Sequence, residues 1–447
     1  MAASRKPLPN KAIVDGLADS LARHVAPHAR LVLALSGGLD SVVLLHALLA
    51  RRDQHPFELR AVHVHHGLSP SADDWADFCT RLCASHAVEL TVRRVGIVRD
   101  DPAGIEAAAR RERRCIFAAL DADFLLTAHH QNDQAETLLL QLLRGAGPKG
   151  LAAMAEVQIQ PDWRAVHLRP LLDLKRAELW GYAQLHGLVW IEDESNQDPR
   201  YRRNALRQQV MPLLDAHFPG VSVTLARAAA LQADTAELLD DLARIDAKTA
   251  IDNDRLDCAV LAALSTPRAR NLLRHFIERG GQSMPNARRL NEALHQLLDA
   301  RQAAQVCVSL GDAELHRFRG GAYLVPARAH APQAPIVWQG ESVLDMQTIG
   351  VSVAFTPTVG SGLKRSLFDA GRVELRLRAG RERIRMTPGG PHRKLKNLLQ
   401  ESAIPPWERD RLPLLLCDGN LVWAAGIGFD VDCLAEPGEP GLIPACV

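Results

Sequence analysis

The chain has 447 residues, with 53 Lys and Arg against 52 Asp and Glu and a formal net charge of +1. Apolar residues make up 47% and charged residues 23%, a globular balance that excludes global disorder, a fibrous repeat and a histone-like polycation. No apolar run reaches the roughly eighteen residues of a membrane span, and the opening MAASRKPLPNKAIVDG lacks the apolar stretch of a secretory signal. Cys79, Cys83, Cys115, Cys258, Cys307, Cys417, Cys433 and Cys446 are scattered without a CxxC pair, so a reduced, cytoplasmic protein with neither disulfide framework nor zinc ribbon is expected.

Residues 1–217 alternate strand-like and helix-like segments. Leu31–Leu35 is a short apolar run ending in glycines, and helical apolar spacing follows through Val42, Leu44, Leu45 and Leu48. Further strands are expected at 60–64, 90–97 and 124–128, with helices over 72–86, 105–120 and 133–144. This order predicts an α/β fold with a Rossmann-like parallel sheet, whose ligands bind beyond the carboxyl ends of the strands. The texture changes at Phe218-Pro-Gly220. Residues 218–330 are expected to be helical, with a strand pair at 304–310 and 321–325. Residues 331–365 look like a linker, and 366–447 like a small α+β domain with strands at 373–378, 412–417 and 421–425 and a helix over 394–401.

The polar clusters of the first domain fall at strand ends. Ser36-Gly-Gly-Leu-Asp-Ser41 lies between a strand and a helix, where glycines let backbone approach phosphate and the helix start favours anions. It lacks the lysine of a Walker A loop. Asp133 and Glu136, three apart on a helix face and preceded by His129 and His130, suit an ammonium group or proton removal from an amine; the bland reading is helix capping. His63, His65 and His66 lack a carboxylate or cysteine at metal-ligand spacing. Arg110 and Arg113 share a helix face, and Arg200, Arg202, Arg203 and Arg207 form a second basic cluster behind Asp193-Glu-Ser-Asn196.

SGGLDS after the first strand resembles the pyrophosphate-binding loop of the PP-loop ATP pyrophosphatases. Within them the chain resembles the tRNA(Ile)-lysidine synthetase family. The likeness runs through His63-Val-His-His-Gly-Leu68, Thr127-Ala-His-His-Gln-Asn-Asp-Gln-Ala-Glu-Thr137, Arg144-Gly-Ala-Gly147 with Gly150-Leu151, Asp193–Asn196, Tyr201-Arg-Arg-Asn204 and Arg207. Near the end, Lys394-Leu-Lys396, Pro405-Pro-Trp407, Arg409 and Leu412-Pro413 carry it. The resemblance implies a PP-loop adenine-nucleotide fold. It also implies ligation of L-lysine to carbon 2 of the wobble cytidine in an isoleucine tRNA with a CAU anticodon, through adenylated tRNA, with ATP and Mg²⁺. It assigns Ser36, Gly37, Gly38, Leu39, Asp40, Ser41, His63, Arg113 and Arg203 to the nucleotide, Asp40 also to Mg²⁺, Asp133 and Glu136 to lysine, and catalysis to Asp40, His129, Asp133 and Glu136. Two departures stand out. Arg114 replaces the tyrosine usual after the second arginine of the segment starting at Glu106, and Gly380-Arg-Glu-Arg-Ile384 has one residue more than usual.

From Arg372 to Lys396 nine Lys and Arg face two Glu, and strand alternation would present several to tRNA phosphates. Arg376, Arg378, Lys394 and Lys396, with Arg207, are therefore expected on tRNA. Trp407 reads as a hinge or core residue or as a base-stacking one. A PP-loop tRNA thiolase, a small-molecule amidotransferase and a non-catalytic tRNA-binding module are the alternatives. The thiolase lacks its sulfur ligands here, the amidotransferase leaves the basic C-terminal segment without a purpose, and the module leaves the intact loop without one. A homodimer is an open expectation, and no membrane contact is expected.

Overall fold

The computed structural model describes residues 9–98, 100–101, 104–192, 194, 198, 200–299, 306–327, 334–347 and 349–447, without the side chains of 9, 10 and 106. The chain divides into two compact units, Met1–Leu242 and Ala243–Val447.

The first unit runs α1 (Pro9–His24), β1 (Arg30–Ala34), α2 (Leu39–Arg51), β2 (Glu58–His65), α3 (Ala72–Ser85), β3 (Glu89–Arg94), α4 (Ile105–Ala118), β4 (Phe124–Leu126), α5 (Gln131–Leu142), α6 (Pro148–Leu151), β5 (Val157–Gln158), β6 (Val166–Leu168), α7 (Arg176–Leu185), α8 (Arg202–Ala205), a π-helical turn (Leu206–Val210), α9 (Met211–His217) and α10 (Val221–Ala250), which continues into the second unit. The sheet has the order β3-β2-β1-β4-β6-β5 and is parallel except for β5. Strand alternation sends Leu31, Leu33 and Leu35 into a core with Ile13, Leu17, Val43, Leu179 and Tyr182, while Val32 joins Val62, Phe117, Leu125 and Ala165 on the opposite face. Chain order reverses between β1 and β4, so a crevice opens beyond the carboxyl ends of these two strands.

Helix α5 starts at Gln131, two residues before its expected start. Asp133 Oδ2 accepts the His130 backbone N–H at 3.0 Å, which makes His130 the cap. Behind it, Ala135 packs with Leu206 and Met211, holding the segment from α8 to α9 against α5.

The second unit begins with a five-stranded antiparallel sheet packed on helices Cys258–Ala263, Thr266–Arg279 and Ala287–Asp299. Strand Ala313–Phe318 lies between Val306–Ser309 and Gly321–Pro326, where a simple strand pair was expected. Its charged sequence AELHRF hides a half-buried pattern in which Ala313 and Leu315 face inward. The linker expected over 331–365 is corrected. Its described residues form strands Ile336–Val337, Val343–Met346, Val351–Val359 and Leu363–Lys364, and Val351–Val359 pairs with Pro440–Cys446. Leu344, Met346, Val353 and Phe355 share a core with Val373, Leu375 and Leu415, so this segment belongs to the C-terminal fold. No helix among the described residues is long and apolar enough to cross a membrane.

Candidate active site

The loop at the end of β1 is built for close approach of an anion. Gly37 has φ +86°, and a Cβ there would lie 2.6 Å from Ile191 Cδ1, so only glycine fits. Its carbonyl accepts the Ile191 N–H at 2.9 Å. Gly38 has an ordinary extended conformation and caps α2, whose first turn carries Asp40. Ser41 Oγ donates to the Gly38 carbonyl at 2.9 Å and lies 3.1 Å from Ser36 Oγ. The cradle thus combines serine hydroxyls, a glycine turn and the unpaired amides of a helix start, which together attract negative charge. Asp40 Oδ1 is buried without a hydrogen-bond partner among the described residues, and Asp40 Oδ2 lies 3.6 Å from His130 Nε2. An orphaned carboxylate oxygen beside a phosphate cradle fits a hard cation such as Mg²⁺.

On α5, which follows the carboxyl end of β4, Asp133 and Glu136 are buried, at 7% and 2% exposure. Both carboxylates are engaged by arginines. Arg203 donates from Nε to Glu136 at 2.9 Å and from a terminal nitrogen to Asp133 at 2.9 Å. Arg207 donates to Glu136 at 2.6 and 2.8 Å and to Asp133 at 2.9 Å. Arg203, expected on ATP, and Arg207, expected on tRNA, therefore both occupy the acidic pair expected to hold lysine. Burial alone would raise the Asp133 pKa, but His130, Arg203, His129 and Arg207 outweigh it and hold the carboxyl at about 2. His130 is also fully buried; burial would lower its pKa, yet the neighbouring Asp40 and Asp133 carboxylates raise it. His130 links the loop to the acidic pair.

A polar wall follows from β4 to β6. His129 Nδ1 and His167 Nε2 each lie 2.8 Å from Thr127 Oγ1, and Arg169 donates to His167 Nδ1 at 3.1 Å. Trp163 stacks on His167 with ring centroids 5.7 Å apart, and Arg114 lies over the Trp163 ring at 5.7 Å. Arg114 therefore stacks on an aromatic ring where the family's usual tyrosine is missing. Burial, reinforced by nearby arginines, pushes the pKa of His129 and His167 down to about 3 and that of His66 to about 4.

The PP-loop domain family model matches residues 11–214, the TilS substrate binding domain 256–323 and the TilS substrate C-terminal domain 373–445. The chain is 41% identical to the tRNA(Ile)-lysidine synthase of Nitrosomonas europaea over 97% of this chain and 95% of that protein. It is 44% identical to those of Azoarcus sp., over 95% and 93%, and Aromatoleum aromaticum, over 95% and 98% of the respective chains. The chain belongs to the tRNA(Ile)-lysidine synthase family.

Lysidine synthase motifs read from the sequence converge unevenly. The loop from Ser36 to Ser41, together with His130, Asp133 and Glu136, forms one cluster. Arg113 is exposed, and its charge acts on His66, His129 and His167, which puts it at the same wall. His63 instead points inward, 2.9 Å from the Leu35 carbonyl and 3.5 Å from Cys79 Sγ, so any nucleotide contact there falls to backbone or to His66. Of the Asp193–Asn196 segment, residues 193 and 195–196 lie outside the described residues.

In the second unit, Arg376 pairs with Glu382 at 3.1 Å and Arg378 with Asp410 at 3.1 Å. Neither forms the free basic face that strand alternation suggested, whereas Lys394 and Lys396 are exposed. Glu382 also accepts the Ala379 and Gly380 amides at 2.6 and 2.9 Å, closing the turn that holds the extra residue. Trp407 packs on the rings of His316, Phe318 and Tyr323 at 4.7, 6.0 and 5.4 Å. Its environment is that of a joint between elements of this unit.

Sequence reading noted His130 without giving it a role, and missed His167 and Arg169. The signal for these two was available in Val166-His-Leu-Arg169, where two polar residues sit two apart along and just past a short buried strand.

Proposed function

We infer that this protein is an ATP-dependent ligase that joins L-lysine to carbon 2 of the wobble cytidine of an isoleucine tRNA with a CAU anticodon, changing the codon read from AUG to AUA. The observation that carries this is near full-length identity of 41–44% to three lysidine synthases. The phosphate cradle beside a buried acidic pair is consistent with it.

The cytidine O2 oxygen attacks the α-phosphate of ATP, and pyrophosphate leaves. The ε-amine of lysine then attacks carbon 2, and AMP departs with the oxygen. Backbone amides and the Ser36 and Ser41 hydroxyls would receive the phosphates, in an arrangement that needs no loop lysine. Asp40 would hold Mg²⁺, which would neutralise charge on the leaving pyrophosphate. Asp133 and Glu136 would bind a lysine ammonium group through charge-assisted hydrogen bonds. With Asp133 held at a pKa of about 2, the pair suits gripping a cation better than taking its proton. Arg203 and Arg207 fill that space, so an ammonium group bound there must exchange places with at least one guanidinium. Lys394 and Lys396 offer phosphate contacts to tRNA. We further propose cytoplasmic residence and a homodimer, the latter tested by sedimentation.

ATP–pyrophosphate exchange with and without tRNA tests the reading. Exchange that requires tRNA supports adenylation of tRNA. Exchange that needs a small acid and no tRNA contradicts it.

A further inference from the structure

Beyond the groups assigned to ATP, lysine and tRNA, a chain of hydrogen bonds runs through the interior of the first unit and ends at the crevice. It starts at Arg169, 6% exposed, which donates to the Ala155 carbonyl at 2.6 Å, to Gln158 Oε1 at 2.8 Å and to His167 Nδ1 at 3.1 Å. It continues from His167 Nε2 to Thr127 Oγ1 and from Thr127 Oγ1 to His129 Nδ1, both at 2.8 Å.

The direction of the protons in this chain follows from its first member and from the acceptors that each later member meets. A guanidinium donates and never accepts, so His167 Nδ1 must be the acceptor. A neutral imidazole carries one proton, so His167 Nε2 carries it and donates to Thr127 Oγ1. Thr127 Oγ1 could accept from both rings, but its own proton meets no other acceptor among the described residues, so the hydroxyl donates to His129 Nδ1. His129 is left with its proton on Nε2, the one ring nitrogen for which the described residues provide no partner. We propose that Arg169, His167 and Thr127 are positioning residues that lock His129 as an Nε2–H hydrogen-bond donor toward an oxygen of the reacting groups. This rests on the function inferred above and deepens it. The substrates offer such acceptors on phosphate and on the cytidine O2, and a donor stabilises either as it gains negative charge. The same lock denies His129 the role of general base at Nε2.

Two observations agree with a neutral, locked ring. His129 and His167 are held near pKa 3, chiefly by burial, so neither is an imidazolium at neutral pH. The charged groups acting on His129 are Asp133, which raises its pKa, and Arg169, Arg203 and Arg113, which lower it. Arg169 itself, though lowered to about 10 by burial and Arg110, stays protonated across the working range. Trp163, stacked on His167, fixes the ring plane that the chain requires.

Thr127→Val keeps the shape and removes the hydroxyl, while Thr127→Ser keeps it. The full chain, labelled with ¹⁵N at histidine and assigned with His129→Gln, reports the tautomer directly by long-range proton–nitrogen correlation between pH 6 and 8. The expected wild-type result is a His129 signal in the Nε2–H form that does not titrate. In Thr127→Val the signal should shift toward the other tautomer or begin to titrate, with kcat for tRNA adenylation lower by about tenfold or more and the ATP KM changed far less. Thr127→Ser should restore both. An Nδ1–H tautomer in the wild type overturns the proposal, even if Thr127→Val does not fold. A Val variant with the wild-type spectrum, or a Ser variant as impaired as Val, also overturns it. Because the tautomer is read without turnover, a locked ring in a protein that does not adenylate tRNA would fault the functional reading and leave the lock standing.

Discussion

Glu136→Gln separates a lysine site from a structural anchor. The carboxylate is 2% exposed and receives three arginine hydrogen bonds at 2.6–2.9 Å, and the amide keeps its shape while removing its charge. A hydrogen bond to a charged group contributes about 1.5–3 kcal/mol, equivalent to about 10–150-fold in an equilibrium constant. If Glu136 holds the lysine ammonium group, the lysine KM should rise by that factor, while the ATP KM in the adenylation half-reaction should change by less than about threefold. The fold should lose only part of the roughly 3–5 kcal/mol expected for breaking a buried pair. Asp133 still accepts from both arginines, and their side chains are 28% and 33% exposed. Steady-state kinetics with each substrate varied in turn, alongside urea denaturation, makes the comparison. Equal rises in both KM values, or a stability loss with no change in lysine KM, would refute the lysine-site reasoning and leave Glu136 as an anchor for Arg203 and Arg207.

The two loop glycines should fail differently. Gly37→Ala meets Ile191 and a positive φ, so its thermal midpoint should fall by the equivalent of about 1–3 kcal/mol; Gly38→Ala meets only ordinary contacts with Ser36 Oγ and the Ile191 carbonyl, so it should fold normally yet bind ATP poorly by calorimetry. In tRNA binding over a salt series, Lys394→Ala with Lys396→Ala should lower the slope of log affinity against log salt by about one to two units, whereas Arg376→Ala, whose guanidinium is already paired with Glu382, should leave it nearly unchanged. Acid should weaken the first unit before its carboxylates titrate. His66, His129 and His167 protonate in the unfolded chain below about pH 6.5 but in the folded one only near 4, 3 and 3, so the stability they confer is full above 6.5 and falls with pH. Near pH 5 these three rings together should take up about three protons on unfolding, a share of about 4 kcal/mol lost per pH unit, and the Asp133 contribution should follow only between about pH 4 and 2. Urea titrations at pH 7 and 5 check this, and a flat profile contradicts the burial of these rings.

Local patterns were legible where one residue type has one physical use. The glycines between an apolar strand and a helix announced the anion cradle, and the alternating order of strands and helices announced a parallel sheet covered on both faces. What stayed hidden depends on partners distant in sequence. Nothing near Arg203 or Arg207 reveals that they reach Asp133 and Glu136 about 70 residues away. Arg376 and Arg378 read as a basic face because strand alternation counts charges without their partners at Glu382 and Asp410. The capping reading of Asp133 proved half of the answer, since one carboxylate oxygen caps α5 while the other takes both arginines. Residues 331–365 misled through their proline and threonine content, although Val351, Val353 and Phe355 already alternate as a strand does.

The central claim is tested most directly by mass analysis of the tRNA product. The protein, ATP, Mg²⁺ and an unmodified isoleucine tRNA with a CAU anticodon are incubated with and without L-lysine, and the nucleosides are separated after digestion. The account predicts a lysine-bearing cytidine at the wobble position only when both ATP and lysine are present, and an adenylated tRNA when lysine is withheld. An unmodified wobble cytidine, or a sulfur-bearing product from a thiol donor in place of the lysine adduct, would contradict it.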